Sequence, residues 1–297
     1  MSPVAAASTT ISISSEEIQA TVSTLGAELV SLRSMAAGEV LWRGGNGFWS
    51  GQSPLLFPVV GRLVGDVIQV AGSQYPMPIH GFARSSHFDV LSTTKQSCIL
   101  SLCYSPDTFK QYPFKFRLEV IYKAIGSSVE IEVRISNLNK HDLPFMFGWH
   151  PGFIWPLESE SGKGDHFIEF PSDEVLEVHA GPRGFLGAQL SPIELTHNRL
   201  MLDERLFEHG AMIFPSLASR RVRLAKNSST RAIEIGFPTM RRLALWSQPG
   251  ARFVCVEPWL NVPHAEQGTS DFSDSPNVSK LGAGATQTLR SSIELRA

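Results

Sequence analysis

A regular alternation of apolar and polar side chains limits what this chain can fold into. It is clearest in two runs, residues 116–122 and 129–135, where every second side chain is apolar and, apart from Ile121, the side chains between them are polar or charged. A period of two is that of a β-strand with one buried face. Because the glycine-containing stretch 126–127 separates the two runs, they are predicted to form an antiparallel hairpin.

Similar short runs recur along the chain and are often separated by Gly, Pro, Ser or Asn. A first strand pair is predicted at Ile18–Thr24 and Ala27–Arg33, on either side of Gly26. Later strands are predicted at His166–Phe170, Val175–Val178, Arg221–Ala225, Ala232–Phe237, Arg242–Ser247, Phe253–Val256 and Ser291–Leu295. Helical periodicity is not sustained over twelve residues anywhere, so only short helical turns are expected, near Pro106–Tyr112 and Leu202–Glu208.

This pattern predicts an all-β, mainly antiparallel protein with the architecture of a large single-domain β-sandwich. The length of 297 residues also fits two ordinary domains, but no linker clearly divides the sequence. Hydrophobic residues make up 42% of the chain, which is enough for a sizeable core. Residues 1–10 are small and polar and are expected to form a disordered tail, so the domain is expected at residues 11–297.

Charge and cysteine content argue against several classes of partner. The formal net charge of −2 gives no general attraction to nucleic acid or to an anionic membrane. Two of the three cysteines, Cys98 and Cys103, share one predicted strand and would lie on opposite faces, roughly 16 Å apart, too far for a disulfide. The N-terminus lacks the features of a signal peptide. We therefore expect a cytoplasmic protein, monomeric or weakly homodimeric, with no nucleic-acid or membrane partner.

Three short stretches place a proton-transfer residue beside aromatic, Gly or Pro residues. His150 in GWHPGF precedes Pro151, which favours an extended backbone and so fixes the direction of the imidazole. His80 lies in HGFAR, and Glu257 follows the apolar run Phe253–Val256. Each has an alternative interpretation, as a packed turn histidine or a solvated glutamate at a strand end. If the three meet in one cleft, an acid and a base are available together, and burial would make Glu257 a better base near neutrality.

Arginine and tryptophan supply candidate binding groups. Arg62 follows an uncharged run, and Arg84 is close enough in sequence to His80 to share a site. Their planar guanidinium groups can bind a hydroxyl, carboxylate or phosphate, or they can simply cover apolar surface. If HGFAR were a strand, a bend near Gly81 would have to re-aim one of its polar side chains. The candidates for an apolar wall against a sugar ring are Trp49, Trp149, Trp246 and Trp259, although such residues belong more often to a core.

The sequence does not indicate nucleotide- or metal-dependent chemistry. It contains no Walker A loop, dinucleotide-binding fingerprint, HExxH or GxSxG motif. The residue types at positions 80, 150 and 257 can bind a metal, but no closely spaced histidine pair supports such a site. We therefore expect no metal and no other cofactor.

Six motifs, taken in order, resemble the aldose 1-epimerase (galactose mutarotase-like) family. They lie at residues 26–32, 53–63, 80–84, 112–122, 143–153 and 255–259. The resemblance covers nearly the whole chain. It is closest to the bacterial branch that includes LacX-like and YeaD-like proteins, which are relatives of hexose-6-phosphate mutarotases. Each motif alone is loose, but six in the correct order are specific.

The resemblance implies a galactose mutarotase-like β-sandwich that acts on a small-molecule sugar or sugar phosphate without metal or nucleotide. In that family a glutamate removes the proton from the anomeric hydroxyl, and the matching residue here is Glu257. The matching histidines imply that His150 protonates the ring oxygen and that His80 binds and polarises the same end of the sugar. Arg62 and Arg84 would then contact hydroxyl groups or a phosphate.

One position departs from the family pattern. Many relatives carry an aspartate just before an apolar triplet, where this chain has Gly210. This departure affects the expected sugar and activity, and it keeps open a non-catalytic carbohydrate-binding or sugar-sensing protein as the alternative to a mutarotase. A glycoside hydrolase ranks third, because that chemistry needs two carboxylates about 5–10 Å apart and the motifs offer only Glu257.

Overall fold

The computed structural model describes residues 8–36, 38–45, 47–158, 162–190, 192–193, 195–227, 229–266 and 271–296. Residues 1–7 of the expected N-terminal tail lie outside these ranges. The first strand begins at Thr10.

Most regular structure in the described residues is β-strand. The strands are β1 Thr10–Ser14, β2 Ile18–Ser23, β3 Leu29–Ser34, β4 Gly38–Glu39, β5 Leu55–Leu56, β6 Val67–Val70, β7 Ser73–Pro76, β8 Asp89–Thr93, β9 Ser97–Cys103, β10 Phe116–Ile125, β11 Ser128–Asn137, β12 Leu143–Phe145, β13 Gly148–Trp149, β14 Gly152–Ile154, β15 His166–Glu169, β16 His179–Gly181, β17 Arg199–Met201, β18 Ala211–Phe214, β19 Arg221–Lys226, β20 Ala232–Gly236, β21 Arg242–Trp246, β22 Phe253–Trp259, β23 Ser279–Leu281 and β24 Thr286–Arg296. One α-helical turn, α1, spans Pro106–Phe109, and 3₁₀ turns occur at Val64–Asp66, Ala83–Ser85, Lys163–Asp165, Pro182–Gly184, Glu204–Phe207 and Phe272–Asp274.

Two sheets contain most of these strands. The larger has nine strands in the order β17-β15-β19-β20-β24-β11-β10-β9-β8. The second has the order β16-β18-β21-β22-β13-β5, with β14 also paired to β22. Every ladder between the strands given above is antiparallel. The predicted all-β, mainly antiparallel class is therefore confirmed.

The predicted hairpin at the centre of the nine-stranded sheet is confirmed and shows why the chain adopts this fold. β10 and β11 pair in a register that sets Val120 opposite Val133, so that apolar side chains from both strands share one face. That face is buried in the main hydrophobic cluster, which also contains Val254 and Val256 of β22. Val133 also lines the same small internal cavity as Trp149 of the second sheet. The two sheets therefore meet across a common core.

One predicted strand is wrong. Residues 175–178 form no ladder, and the strand in this region begins at His179. Alternation is nevertheless present, since Val175 is exposed whereas Leu176 and Val178 are buried. Side-chain alternation thus reflects burial on one side, whereas a strand also needs a ladder, and the bond from the Leu190 N–H to the Val178 carbonyl oxygen at 2.8 Å does not make one.

The two expected helical turns are present as α1 and as the 3₁₀ turn Glu204–Phe207. Among the described residues, no helix has the length and apolar character needed to cross a membrane.

Candidate active site

The candidate site is built on β22, whose seven residues are all buried. Alternation along this strand sets Cys255, Glu257 and Trp259 on one face. The sequence predicted the end of the strand at Val256, although the missing amide hydrogen of Pro258 is compatible with a strand that continues. The strand instead continues to Trp259 and pairs with β21 along its length, so Glu257 lies within the sheet.

His150 is brought to Glu257 by strand register. β13 and β14 both pair with β22, and Gly148 lies opposite Trp259 in a register that β14 continues. Extended through the connecting turn, this register sets position 150 opposite position 257, and opposed residues of an antiparallel pair carry their side chains on the same face. The His150 Nε2 atom lies 3.3 Å from Oε2 of Glu257.

Burial determines the charge state of this pair. Loss of water around the charged form raises the pKa of the Glu257 carboxyl well above its usual range. Burial, together with a smaller effect of the nearby Arg84 charge, lowers the pKa of His150 to about 3. Burial therefore favours the neutral form of each group, with the proton of the pair on the carboxyl. The pair then offers one proton donor and one proton acceptor 3.3 Å apart.

Several polar atoms at this pair have no protein partner. Both carboxylate oxygens of Glu257, Nδ1 of His150 and Nε1 of Trp259 are buried and lack a hydrogen bond to any described residue. Buried polar groups in proteins are usually satisfied. Because all three side chains line one cavity, hydroxyl groups of a bound ligand can supply the missing partners.

His80 lies in a turn and not in a strand. Its backbone has φ +65° and that of Gly81 has φ +74°, and a side chain at position 81 would collide with the carbonyl oxygen of Phe57, 2.2 Å from the added Cβ. The turn resolves the geometric conflict in HGFAR. The Gly61 N–H donates to His80 Nδ1 at 3.1 Å, which leaves the neutral ring with its hydrogen on Nε2. Burial, followed by the charges of His150, Arg84 and Arg62, lowers the pKa of His80 well below its usual value.

Aromatic rings surround the pair. The Trp49 ring stacks on His150 with centroids 4.8 Å apart, and Trp246 meets His150 edge-on at 5.8 Å. The His80 and His150 rings lie perpendicular with centroids 5.6 Å apart. Trp49, Trp246 and Trp259 line the cavity. The fourth candidate, Trp149, lies instead in the core, where its indole N–H donates to the Ser53 carbonyl oxygen at 3.1 Å.

The two predicted arginines reach the cavity in different electrostatic states. Arg62 forms an ion pair with Asp66 at 3.1 Å. Arg84 lines the same cavity and makes no hydrogen bond or ion pair to any residue that the structure describes. Arg84 is therefore a cation available to a ligand.

A second ion pair at the cavity was missed by sequence reasoning. Arg183 and Glu266 both line the cavity, and Nη2 of Arg183 donates to both carboxylate oxygens of Glu266 at 2.8 and 2.9 Å. They come from the 3₁₀ turn at Pro182–Gly184 and from a loop distant in sequence, so no local spacing connects them. The only available signal was an arginine within the turn sequence Gly-Pro-Arg-Gly at 181–184.

Gly210 lines the cavity and cannot be replaced by an aspartate on this backbone. Its φ is +94°, and a Cβ there would lie 2.5 Å from the Gly181 carbonyl oxygen. An aspartate at this position would therefore require a different course of the backbone.

The cavity has a volume of about 700 Å³ and is open to solvent, a size typical of small-molecule sites. The candidates Arg62, His80, Arg84, His150 and Glu257 all line it, as do Trp246 and two of the other three tryptophans.

The site joins a buried acid–base pair to an aromatic wall on an antiparallel β-fold. A match to the family named Aldose 1-epimerase extends over residues 9–263. The chain belongs to the aldose 1-epimerase family.

Individual relatives support the same grouping. The plasmid-encoded protein LacX of Lactococcus lactis subsp. lactis is 28% identical over 285 residues, which cover 92% of this chain and 94% of LacX. The structure of a galactose mutarotase related enzyme from Lactobacillus acidophilus superposes with a TM-score of 0.91 at 26% sequence identity. The superposition covers 97% of this chain and 98% of the Lactobacillus acidophilus chain. A galactose mutarotase-like protein from Lactobacillus casei gives a TM-score of 0.90 at 27% sequence identity, over 97% of this chain and 100% of the Lactobacillus casei chain. The galactose mutarotase-like fold expected from the sequence is confirmed.

The charge state of Glu257 predicts a pH-dependent gain of stability in the variant Glu257→Gln. A carboxyl whose pKa is raised in the folded state loses stability as pH rises from its unfolded value, near 4.5, toward its folded value. The amide of the variant does not titrate and has no such loss. The melting temperature of the variant, relative to that of the wild type, should therefore increase as pH is raised from about 4.5. Differential scanning calorimetry across this range measures the effect.

The matched control is Glu130→Gln, which removes one carboxylate from the exposed side of β11. A Glu257→Gln variant that is less stable than wild type at pH 8 would contradict the assigned burial of an uncompensated carboxyl.

Proposed function

We propose that this protein is an aldose 1-epimerase (mutarotase) that interconverts the α and β anomers of a hexose or hexose phosphate. The observation that carries the proposal is the buried Glu257–His150 pair, with Nε2 and Oε2 3.3 Å apart and both side chains open to one cavity. Membership of the aldose 1-epimerase family supports the same activity.

The chemistry requires one proton to leave the sugar and one to arrive. A base removes the proton of the C1 hydroxyl while an acid protonates the ring oxygen, and the bond between C1 and the ring oxygen breaks to give the open-chain aldehyde. Rotation about C1–C2 and closure from the other face give the other anomer. The two groups exchange roles during closure, so the pair ends with the same number of protons and needs no cofactor.

In this proposal Glu257 takes the proton from the anomeric hydroxyl and His150 donates to the ring oxygen. The proton that the free pair carries on Glu257 must therefore move to His150 when the sugar binds. The unpartnered carboxylate oxygens support this role, since a sugar hydroxyl can bond to them directly. His80, with its hydrogen on Nε2, acts as a fixed donor that polarises a sugar oxygen.

The remaining residues of the cavity favour a ligand with both an apolar face and a negative charge. Trp49 and Trp246 meet at right angles with centroids 5.8 Å apart and form a corner against which a pyranose ring can pack. Asp66 and Glu266 balance Arg62 and Arg183, which leaves Arg84 as the uncompensated cation among the described lining residues. We therefore propose a hexose phosphate as the preferred substrate, with Arg84 on the phosphate.

A non-catalytic sugar-binding protein is the second candidate, and Gly210 is the observation that favours it. A backbone turn replaces the acid of many relatives at this point of the cavity. Such a protein would show ligand-induced thermal stabilisation without faster anomerisation. A glycoside hydrolase has less support, because the other two described carboxylates of the cavity, Asp66 and Glu266, are both paired with arginine.

The variant Glu257→Gln tests the catalytic proposal. Its amide cannot accept the anomeric proton, so the rate should fall by about 10²–10⁴-fold, the usual contribution of one proton-transfer group. Polarimetry from pure α-glucose or α-glucose 6-phosphate measures the rate, and Glu130→Gln on the exposed side of β11 is the control. Near wild-type anomerisation by Glu257→Gln would remove this residue from the mechanism.

The substrate class is tested by comparing glucose with glucose 6-phosphate in wild type and Arg84→Ala. Loss of a charged hydrogen bond should lower kcat/KM for the phosphate by about 10- to 100-fold, with a smaller effect on glucose. Arg183→Ala is a matched control, because that arginine is already paired with Glu266. Equal slowing of both substrates by Arg84→Ala would show that this arginine does not read a phosphate.

A further inference from the structure

A thiol lies beside the acid–base pair and takes no part in the proposed anomerisation. Cys255 precedes Glu257 by two residues on β22 and so shares its face of the strand. The nitrogen, sulfur and oxygen ligand atoms of His150, Cys255 and Glu257 all lie within 4.8 Å of one another. All three residues are buried, with exposures of 7%, 0% and 1% respectively.

This combination of atoms is a ligand set for a soft divalent cation. Imidazole nitrogen, thiolate sulfur and carboxylate oxygen are the groups that bind zinc in proteins, and three of them leave a fourth position open. Two such ligands about 2.1 Å from a tetrahedral ion lie about 3.4 Å apart. The distance of 3.3 Å between Nε2 of His150 and Oε2 of Glu257 matches this edge. The Cys255 sulfur becomes the third ligand if it moves toward the other two ligand atoms by at most about 1 Å.

The unsatisfied atoms of the site point to a cation independently. Both oxygens of Glu257 and Nδ1 of His150 are buried and make no hydrogen bond to a described residue. An ionised carboxylate in that setting is unfavourable unless it is paired or coordinates a metal. Two anionic ligands, the thiolate and the carboxylate, would balance a divalent charge. Arg84 in the same cavity opposes a cation, so binding depends on the thiolate–metal bond.

We propose that His150, Cys255 and Glu257 form a zinc-binding site and that zinc at this site inhibits anomerisation. Binding releases the thiol proton and the proton of the Glu257–His150 pair to solvent. The bound ion occupies the lone pairs of Nε2 and Oε2, so neither atom can transfer a proton to or from a sugar. The inhibition rests on the proposed function, whereas the binding does not. Magnesium and calcium prefer oxygen ligands and should neither bind nor inhibit.

Cobalt(II) titration of the full chain tests the site without reference to activity. Cobalt occupies zinc sites and shows a near-ultraviolet thiolate-to-metal charge-transfer band when sulfur is a ligand. The wild type should develop this band, and zinc should abolish it by competition. Cys255→Ala should lack the band and bind cobalt more than about tenfold more weakly. Cys98→Ala is the matched control, because Cys98 is also fully buried but lies on β9 of the other sheet.

The activity arm uses the same proteins. Zinc should slow anomerisation by wild type and by Cys98→Ala, a chelator should restore the rate, and Cys255→Ala should keep its basal rate in the presence of zinc. Absence of the charge-transfer band in wild type, or an unchanged band in Cys255→Ala, would overturn the zinc site even in an active enzyme. A band that depends on Cys255 in a protein with no anomerase activity would support the site and overturn only the proposed function.

Discussion

The structure depends on a cross-strand contact between an imidazole and a carboxyl in the interior of a β-sheet. β22 carries Glu257 at its centre, and β13 and β14 pair with the same strand on either side of His150. The backbone ladder, and not a flexible loop, thus determines the separation of 3.3 Å between the two groups. A pair held in this way needs little reorganisation to act, which is the condition for efficient proton transfer.

The same burial that prepares the pair for chemistry makes it unfavourable for folding. Each group loses solvation, and neither carboxylate oxygen finds a partner among the described residues. The extensive apolar core shared by the two sheets compensates for this loss. Functional sites commonly combine local instability with a stable scaffold, since activity needs groups that a ligand can still satisfy. The Trp49 ring stacks on His150 and limits the access of water to the Glu257–His150 pair.

The fold was predictable where alternation and turn residues agree. The hairpin of β10 and β11 follows from a period of two and a glycine turn, and both signals act over a few residues. The segment at 175–178 shows the limit, because burial on one side alternates there without a partner strand. Pro258 shows another limit: the sheet tolerates a missing amide hydrogen within β22, which places Glu257 inside the strand. Strand pairing is long-range, and single-sequence periodicity does not report it.

The site was predictable to the extent that its residues stand in distinctive local sequence. His80, His150 and Glu257 lie in such stretches, and all three line one cavity. Arg183 and Glu266 do not, and their pairing depends on a turn and a loop brought together by the fold. Cys255 stands in one of the six motifs, but no local spacing connects it with His150. Its position beside the pair depends on the register between β22 and β14, which sets it opposite Gly152.

A double-mutant cycle on the pair tests the central claim most directly. Exchange between the anomers of glucose and of glucose 6-phosphate can be measured by nuclear magnetic resonance for wild type, Glu257→Gln, His150→Gln and the double variant. If the two groups act as one unit, the anomerisation rate of each single variant should be about 10²–10⁴-fold below that of wild type. The rate of the double variant should then be no more than about tenfold below that of the slower single variant. Losses that multiply in the double variant, or a wild-type rate no faster than buffer alone, would contradict the account.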